Sequence, residues 1–377
     1  MKKSAISVAI LSFSGFSTQV FAQNSVTLYG LIDAGIQYTH NSGGQSSQIS
    51  MTSGNLSGSR WGLKGSEDLG GGLTTVFTLE SGFNVETGKS GQGTRLFGRQ
   101  AFVGLQDSRF GTLTAGRQYD PLTDLVQPIQ GDNFLGGMFS TPGDIDNADN
   151  TARFSNAIKW ASPTLAGLKT EWMYTFGGVA GSQGSGQTWS GALSYGQGPL
   201  GLAAGFMHID NGNAVLSTRG TTTADSLFTT SVNDAYSSAR SINIARLGGN
   251  YAIGPVTLGG YYSFAQYVPD ASSSFTTAQK YNTGSVYALW QISPALTTEI
   301  GYTYMKSSGD SSAKYNQFAL GADYVISKRT DFYAVGGYGH ASGENGEGTA
   351  QAVIGSTEID SGKSSQAIVM IGMRHRF

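Results

Sequence analysis

The chain has 377 residues, no cysteine, a formal net charge of −2 and 13% charged residues, against roughly 25% in soluble domains. The mild negative charge argues against nucleic acid as a partner, and the lack of cysteine excludes a small disulfide scaffold. The 55 glycines, 18 tyrosines and 19 phenylalanines suit strands, tight turns and aromatic girdles.

The first 22 residues are typical of a secretory signal peptide that is removed after Ala22. A positive start, MKK, precedes the short apolar run AISVAILSFSGF, and small residues lie ahead of the cut. The apolar run is too short and too rich in serine to span a membrane, and an ordinary buried helix is the alternative. Loss of Lys2 and Lys3 leaves residues 23–377, a single predicted domain with a net charge of about −4.

The mature chain begins with the strand-like SVTLYGLIDAGIQYTH, followed by a polar loop predicted at residues 40–59. Seven strand pairs then recur, with short turns predicted at 67–72, 107–111, 162–167, 196–199, 253–255, 292–295 and 326–329. AIVMIGMRHRF ends the chain. No apolar stretch approaches 18 residues, so helical membrane spans are excluded. The sequence therefore predicts an all-β transmembrane antiparallel barrel of about 16 strands, whose first and last strands pair.

Period-two alternation gives the strands one apolar and one polar face. Leu168, Trp172 and Tyr174 share a face opposite Lys169 and Glu171. Lipid on one side and water on the other explain this pattern. A water-soluble β-sandwich is the alternative, but it would show more surface charge.

Residues 119–152 interrupt the pattern with three prolines and several glycines, which exclude a long helix or a regular strand. The segment contains no Lys or Arg, and we predict that it folds into the barrel as a constriction loop. Its acidic residues are Asp120, Asp124, Asp132, Asp144, Asp146 and Asp149.

Alternation also places basic residues on the inner wall. Arg60 and Lys64 lie opposite Trp61, while Arg99 and Arg153 are assigned inward because Phe102 and Phe154 are assigned outward. An inward arginine implies a wet lumen, since burying a lone guanidinium is costly. Opposed basic and acidic rows would create a transverse field that selects ions and dipolar solutes. Alternatively, these arginines only tie the loop to the wall.

Arg117 has the opposite parity, because it shares a face with Leu113 and Ala115. An outward arginine facing lipid would cost roughly 2–4 kcal/mol near the midplane of the bilayer. We therefore predict a subunit interface at Arg117, with Glu86 of a neighbouring subunit as its partner.

No catalytic or metal-binding pattern is present, so an enzyme, a metal site and a cofactor are not expected. His40, His208, His340 and His375 are scattered and have no metal-ligand spacing. GSQGSGQ is a degraded GxSxG and is better explained as a flexible loop than as a nucleophile elbow.

Several motifs together resemble the general porins of Gram-negative outer membranes, over essentially all of the mature chain. They are SVTLYGLIDAG, SRWGLKGSEDLGGGL, TRLFGRQAFVGL, LTAGRQYDPL and the terminal IGMRHRF. The resemblance implies a trimeric sixteen-stranded barrel with the third external loop inside, and passive diffusion of ions and small hydrophilic solutes. It also implies an arginine cluster, here Arg60, Arg99 and Arg153. DNFLGG replaces the PEFGG-type motif that some members carry at the loop tip.

The same resemblance implies the surroundings of the protein. It predicts an outer-membrane homotrimer in contact with lipid and lipopolysaccharide, and a terminal Phe377 that acts as the signal for the barrel-assembly machinery. A substrate-specific barrel channel, or a surface receptor or adhesin, is the alternative function.

Overall fold

The computed structural model describes residues 25–212, 225 and 227–377, so the predicted signal peptide lies outside the described residues. The described residues form one antiparallel sheet. Its strands are β1 (Ser25–Ser42), β2 (Gln45–Ser53), β3 (Arg60–Gly70), β4 (Leu73–Gly82), β5 (Gln100–Asp107), β6 (Gly111–Gln118), β7 (Phe154–Ala161), β8 (Leu168–Thr175), β9 (Thr188–Gln197), β10 (Leu200–Asp210), β11 (Ser241–Ile253), β12 (Val256–Val268), β13 (Gln279–Gln291), β14 (Leu296–Ser308), β15 (Ala313–Ser327), β16 (Thr330–Gly343) and β17 (Ser365–Arg376).

The sheet closes because β1 pairs with β17, from Leu31 opposite Arg376 to His40 opposite Ala367. On its other edge, β1 pairs with β3 along its first half and with β2 along its second half. Strands β2 and β3 therefore occupy a single strand position of the barrel, so the seventeen strands fill sixteen positions. The predicted sixteen-stranded barrel is confirmed. The polar loop predicted at 40–59 is partly wrong, because its first residues extend β1 and its middle forms β2.

All seven predicted turns fall between consecutive strands of this barrel. The turn from β3 to β4 contains Gly70, Gly71 and Gly72, which have φ values of 84°, 64° and 89°. Residues with a Cβ rarely adopt this left-handed region, so the glycine triplet is required by the backbone. Tight turns at one end and longer connections at the other give the barrel two different rims.

The two faces of the sheet differ as alternation predicts. Ile300 is 60% exposed, whereas the adjacent Glu299 is 3% exposed. Large apolar side chains are exposed around the outer face, among them Leu28, Ile36, Val103, Leu105, Leu113, Ile158, Trp172, Leu193, Leu247, Val286, Leu320, Val369 and Ile371. An apolar outer band with polar residues behind it is the arrangement that lipid favours.

Loop 119–152 is compact and lies against the less exposed face of the sheet. It contains α1 (Pro121–Leu125), α2 (Asp132–Leu135) and three turns of 3-10 helix at Gln127–Ile129, Gly137–Phe139 and Pro142–Asp144. Among the described residues, no helix is long and apolar enough to cross a membrane. The Tyr287 hydroxyl donates to the Ile129 carbonyl at 2.8 Å. Val286, next to Tyr287, is 60% exposed on the opposite face.

Apolar packing fixes this position. Leu122 of α1 is fully buried, and a Cβ added at Gly205 of β10 would lie 2.7 Å from its Cγ. The space left by a glycine in the wall therefore receives a leucine of the loop. Ile145 and Phe154, both fully buried, belong to the same apolar cluster.

Two predicted orientations are wrong. Phe154 was predicted to face outward, yet it is fully buried among the residues of that cluster. Asn156, with a φ of 54°, interrupts the alternation between it and the outward Ile158. Phe102 was also predicted to face outward, but its neighbours Val103 and Leu105 are the exposed side chains of β5.

Candidate functional site: a charged cavity beside loop 119–152

A cavity of about 730 Å³ lies between loop 119–152 and the wall formed by the first strands. Its lining comes from residues 54–60, 91–99 and parts of 119–153, and from the connections between β10 and β11 and between β16 and β17. The charged residues of the lining are Arg60, Arg95, Arg99, Asp124, Asp132, Asp149, Arg153, Asp225 and Glu358. The structure therefore brings together the three arginines and three of the six aspartates that the sequence predicted for a constriction.

Arg99 lies immediately before β5 and pairs with Glu80 of β4. Its Nε donates to Glu80 Oε1 at 2.9 Å, and both side chains are almost fully buried. The hydroxyl groups of Tyr29 and Tyr119 also donate to Glu80, each at 2.9 Å. A buried pair of this kind is stable only when the remaining lone pairs are satisfied, which the two tyrosines provide.

Arg60 and Arg153 differ from Arg99 because neither makes an ion pair with any described residue. The Nε atoms of both are buried without a hydrogen-bond partner in that part of the chain. Arg153 Nη1 donates to the Thr151 carbonyl at 3.0 Å. Burial and the neighbouring Arg99 lower the pKa of Arg153 to about 10, so it remains charged at neutral pH. These two guanidinium groups carry positive charge toward the cavity without a carboxylate partner.

Tyr119 lies between two of the cations. The Arg99 Cζ is 5.7 Å and the Arg153 Cζ is 5.8 Å from the centroid of its ring. The negative face of an aromatic ring attracts a guanidinium, which offsets part of the repulsion between two like charges. Tyr119 is the residue at which β6 leads into loop 119–152, so the start of the loop lies beside Arg99 and Arg153.

Asp132 and Asp149 form the acidic side of the cavity. Gln127 Nε2 donates to Asp132 Oδ2 at 2.9 Å and to Asp149 Oδ1 at 3.1 Å, and the Ser356 hydroxyl donates to Asp149. Burial, and then the negative charge of Asp149, raise the pKa of Asp132 well above its usual range. Burial also raises the pKa of Asp149. The negative charge on this side is therefore more easily neutralised by protons than that of free carboxylates.

Asp124, the third lining aspartate, is neutralised from the wall. Lys159 of β7 donates to its carboxylate and, at 3.0 Å, to the carbonyl of Tyr119. Lys159 thus anchors the start of loop 119–152 to the barrel, a role that the sequence analysis considered only for the arginines.

Three predicted constriction residues do not line the cavity, and their carboxylates accept hydrogen bonds within the loop instead. Asp120 caps α1, with Oδ1 accepting the N–H of Leu122 at 2.8 Å. Asp144 accepts the N–H of Asp149 at 2.8 Å. Asp146, fully buried, accepts from a threonine hydroxyl within the same loop. The prediction that Asp120, Asp144 and Asp146 face the pore is wrong. Asp120 and Asp144 accept from N–H groups that the irregular backbone of the loop leaves without a strand partner, and Asp146 accepts from a side chain of the same loop.

Lys64 is also outside the lining of the cavity. It is exposed on β3, with Nζ 5.3 Å from the centroid of the Tyr29 ring. Its predicted place in the basic wall of the constriction is therefore wrong, although it lies two alternation steps from Arg60 on the same face of β3.

Arg117 has a partner within its own chain. It pairs with Asp225, and its Nε donates to the Gly98 carbonyl at 2.7 Å. The side chain is 7% exposed. Asp225 of the same chain therefore supplies a carboxylate to Arg117, and the predicted subunit interface at Arg117 stays a prediction. Glu86 is exposed, and its contact with a neighbouring subunit stays a prediction.

Phe377 closes the seam of the barrel. Its N–H donates to the Gly30 carbonyl at 3.0 Å, and the N–H of Gly30 donates back at 3.1 Å. A Cβ added at Gly30 would lie 2.4 Å from Cζ of the Phe377 ring, so the ring occupies space that only glycine leaves open. Its role as an assembly signal stays a prediction.

Sequence reasoning missed several cavity residues. Glu80, which lies behind the lining as the partner of Arg99, has a detectable signal, because it is the only acid in the strand-like TTVFTLESGF. Ser356, Glu358 and Asp225 have none, because they lie in Gly- and Ser-rich or otherwise irregular connections where alternation does not apply. Within the described residues, no three His, Cys, Asp or Glu side chains are grouped as metal ligands.

Comparisons with known proteins agree with this geometry. The model of the Gram-negative porin family matches residues 5–344. An outer membrane porin protein of Bordetella pertussis is 32% identical, with all of both chains covered. Outer membrane porin protein 32 of Delftia acidovorans is 27% identical, again over both full chains. The anion-selective porin from Comamonas acidovorans has a TM-score of 0.71 and 23% identity, covering 94% of this chain and 100% of that one, which shows the shared fold.

Proposed function

Because the chain belongs to the Gram-negative porin family of outer-membrane channels, we propose that it forms a water-filled pore for passive diffusion of ions and small hydrophilic solutes. The observation that carries this proposal is the charged cavity of about 730 Å³ beside loop 119–152. A cavity of this volume can hold small solutes, and its charged lining keeps it wet.

Loop 119–152 narrows the pore in this proposal. Its inward position is supported by the contacts of Ile129 with Tyr287 and of Met138 with Gln317, whose Nε2 donates to the Met138 carbonyl at 2.7 Å. The remaining passage runs along the wall that carries Arg60, Arg99 and Arg153. Positive charge on the wall and Asp149 on the loop then produce a field across the passage, which orients water and dipolar solutes.

A narrower candidate is an anion-preferring channel. Arg60 and Arg153 have no carboxylate partner among the described residues, whereas Asp124 is neutralised by Lys159 and the pKa of Asp132 is raised by burial. The positive charge that faces the passage therefore exceeds the negative charge that loop 119–152 contributes to it. The solved porin from Comamonas acidovorans is named for the same preference.

Planar-bilayer recording tests both candidates. A diffusion channel gives large, ohmic steps, in threes for a trimer, without saturable block by a solute. The reversal potential in a KCl gradient gives the sign of the ion preference. A chain that folds into membranes but never conducts contradicts the channel proposal, and would favour a receptor or adhesin.

Assembly is part of the same proposal. We expect a detergent- and heat-resistant homotrimer in contact with lipid and lipopolysaccharide, delivered by the barrel-assembly machinery. Single conductance steps, together with a monomer in mild unheated extracts, would contradict the trimer.

A further inference from the structure

The connection between β16 and β17, residues 344–364, turns inward rather than remaining at the rim. Ala352, Val353 and Ile354 in its middle are no more than 1% exposed. Ile354 belongs to an apolar cluster with Leu135 and Met138 of loop 119–152. Side chains buried to this extent are surrounded by protein, so this connection packs onto the loop that narrows the proposed pore.

Strand β16 is built to receive this connection. A Cβ added at Gly337 would lie 2.9 Å from Cγ2 of Ile354, and a Cβ at Gly339 would lie 3.1 Å from its Cγ1. Tyr338, between the two glycines, is 48% exposed and points the other way. The wall therefore lacks side chains at the place where Ile354 lies.

Backbone hydrogen bonds then fix the next residues. The N–H of Ser356 donates to the Gly137 carbonyl at 3.1 Å, and the N–H of Gly143 donates to the Gly355 carbonyl at 2.8 Å. The N–H of Gly355 donates to Oε1 of Gln317 at 2.6 Å. Gly355 has a φ of 50°, and a Cβ on it would lie 1.9 Å from the Gly137 oxygen, so only glycine allows this close approach.

Glu358 follows from this anchored stretch and lines the cavity together with Arg60, Arg99 and Arg153. Its φ of 56° is in the left-handed region, which is uncommon for a residue with a side chain. Such a conformation persists only where surrounding contacts determine it, and it is concentrated at functional sites. The positive charge of Arg153 and the negative charge of Asp149 both act on this carboxylate.

We propose that residues 355–358 form a second constriction element and that Glu358 is a specificity-determining residue opposing the basic wall. This inference rests on the proposed channel function. Glu358 attracts cations and repels anions in the passage, and so limits the preference that Arg60 and Arg153 create.

The direct test is Glu358→Gln, with Glu347→Gln as a matched control that removes the same charge from the same connection outside the cavity lining. For a charge roughly 8 Å from the permeating ion, the anion-to-cation permeability ratio should rise about fourfold in 0.01 M KCl and about twofold in 0.15 M KCl. The control should leave the reversal potential unchanged. Equal reversal potentials for both variants and the wild type would overturn the inference.

A second measurement does not depend on charge. The chain has no cysteine, so Glu358→Cys introduces the only thiol. A water-soluble anionic methanethiosulfonate added to an open channel should reduce conductance stepwise, once per subunit. Glu347→Cys should give no steps. Unchanged conductance of the Glu358→Cys channel would show that this position lies outside the passage.

Failure of this inference can be distinguished from failure of the proposed function. If Arg60→Gln with Arg153→Gln shifts the reversal potential while both Glu358 variants behave as wild type, the channel stands and the second constriction element is wrong. If the wild type itself does not conduct, the channel proposal fails and the inference fails with it.

Discussion

The basic wall formed by Arg60, Arg99 and Arg153 yields the most quantitative prediction. We choose Arg60→Gln and Arg153→Gln because neither side chain has a carboxylate partner among the described residues. Arg99 is excluded, since its removal would leave the buried charge of Glu80 without its ion-pair partner, at a cost of about 3–5 kcal/mol in the free energy of unfolding. The two glutamine variants remove charge from the passage and keep a polar, though shorter, side chain.

The size of the effect follows from Coulomb's law. An ion crossing a cavity of about 730 Å³ passes roughly 8 Å from either guanidinium, and a unit charge at that distance in water is worth about 0.5 kcal/mol. Removing it favours the cation and disfavours the anion equally. With a Debye length of about 30 Å at 0.01 M and about 8 Å at 0.15 M, the anion-to-cation permeability ratio should fall about fourfold and about twofold, respectively.

Reversal potentials in KCl gradients measure this ratio. The double variant should shift it about fifteenfold at 0.01 M and about fourfold at 0.15 M, if the two charges act independently. Arg109→Gln is the control, because Arg109 lies in the turn between β5 and β6, pairs with Asp107 and is absent from the cavity lining. If the double variant keeps the wild-type reversal potential at 0.01 M, the arginines do not act on the passage and only hold the loop.

Tyr119→Leu should lower the free energy of unfolding by about 1–2 kcal/mol more than Tyr119→Phe in urea titrations of the folded barrel, because only phenylalanine keeps an aromatic ring between the cations; equal losses would contradict this. Burial raises the pKa values of Asp132 and Asp149, so these carboxylates should become protonated at a higher pH than free aspartate as the pH is lowered. The loss of negative charge should then increase the anion preference, and Asp132→Asn should flatten that increase in a pH series of reversal potentials. Deleting Phe377 should reduce the membrane yield of trimer more than synthesis or export, as measured by fractionation and unheated gels, whereas a normal yield would argue against an assembly signal.

Local sequence patterns were sufficient for the barrel itself. The alternation of Trp172 and Tyr174 with Glu171 follows from a period of two residues, and the seven turns lie where that period is interrupted; neither needs long-range information. Where the backbone departs from that period, the prediction fails. The left-handed backbone of Asn156 reverses the facing of Phe154, and no sequence pattern in the strand predicts that conformation.

The sequence by itself determined the strand count and the closure of β1 on β17. The resemblance to porins placed Arg60, Arg99 and Arg153 in one cluster, whereas alternation assigned the facing of Phe102 and Phe154 wrongly. Only the tertiary structure decided which carboxylates meet these arginines. Asp120 and Asp144 accept hydrogen bonds from backbone N–H groups of their own loop. Glu358, which lines the cavity, lies in a connection about 200 residues after that loop in the sequence. Facing in a strand is set by neighbours along the chain, but facing in an irregular loop is set by packing and unsatisfied backbone groups, which depend on residues far apart in sequence.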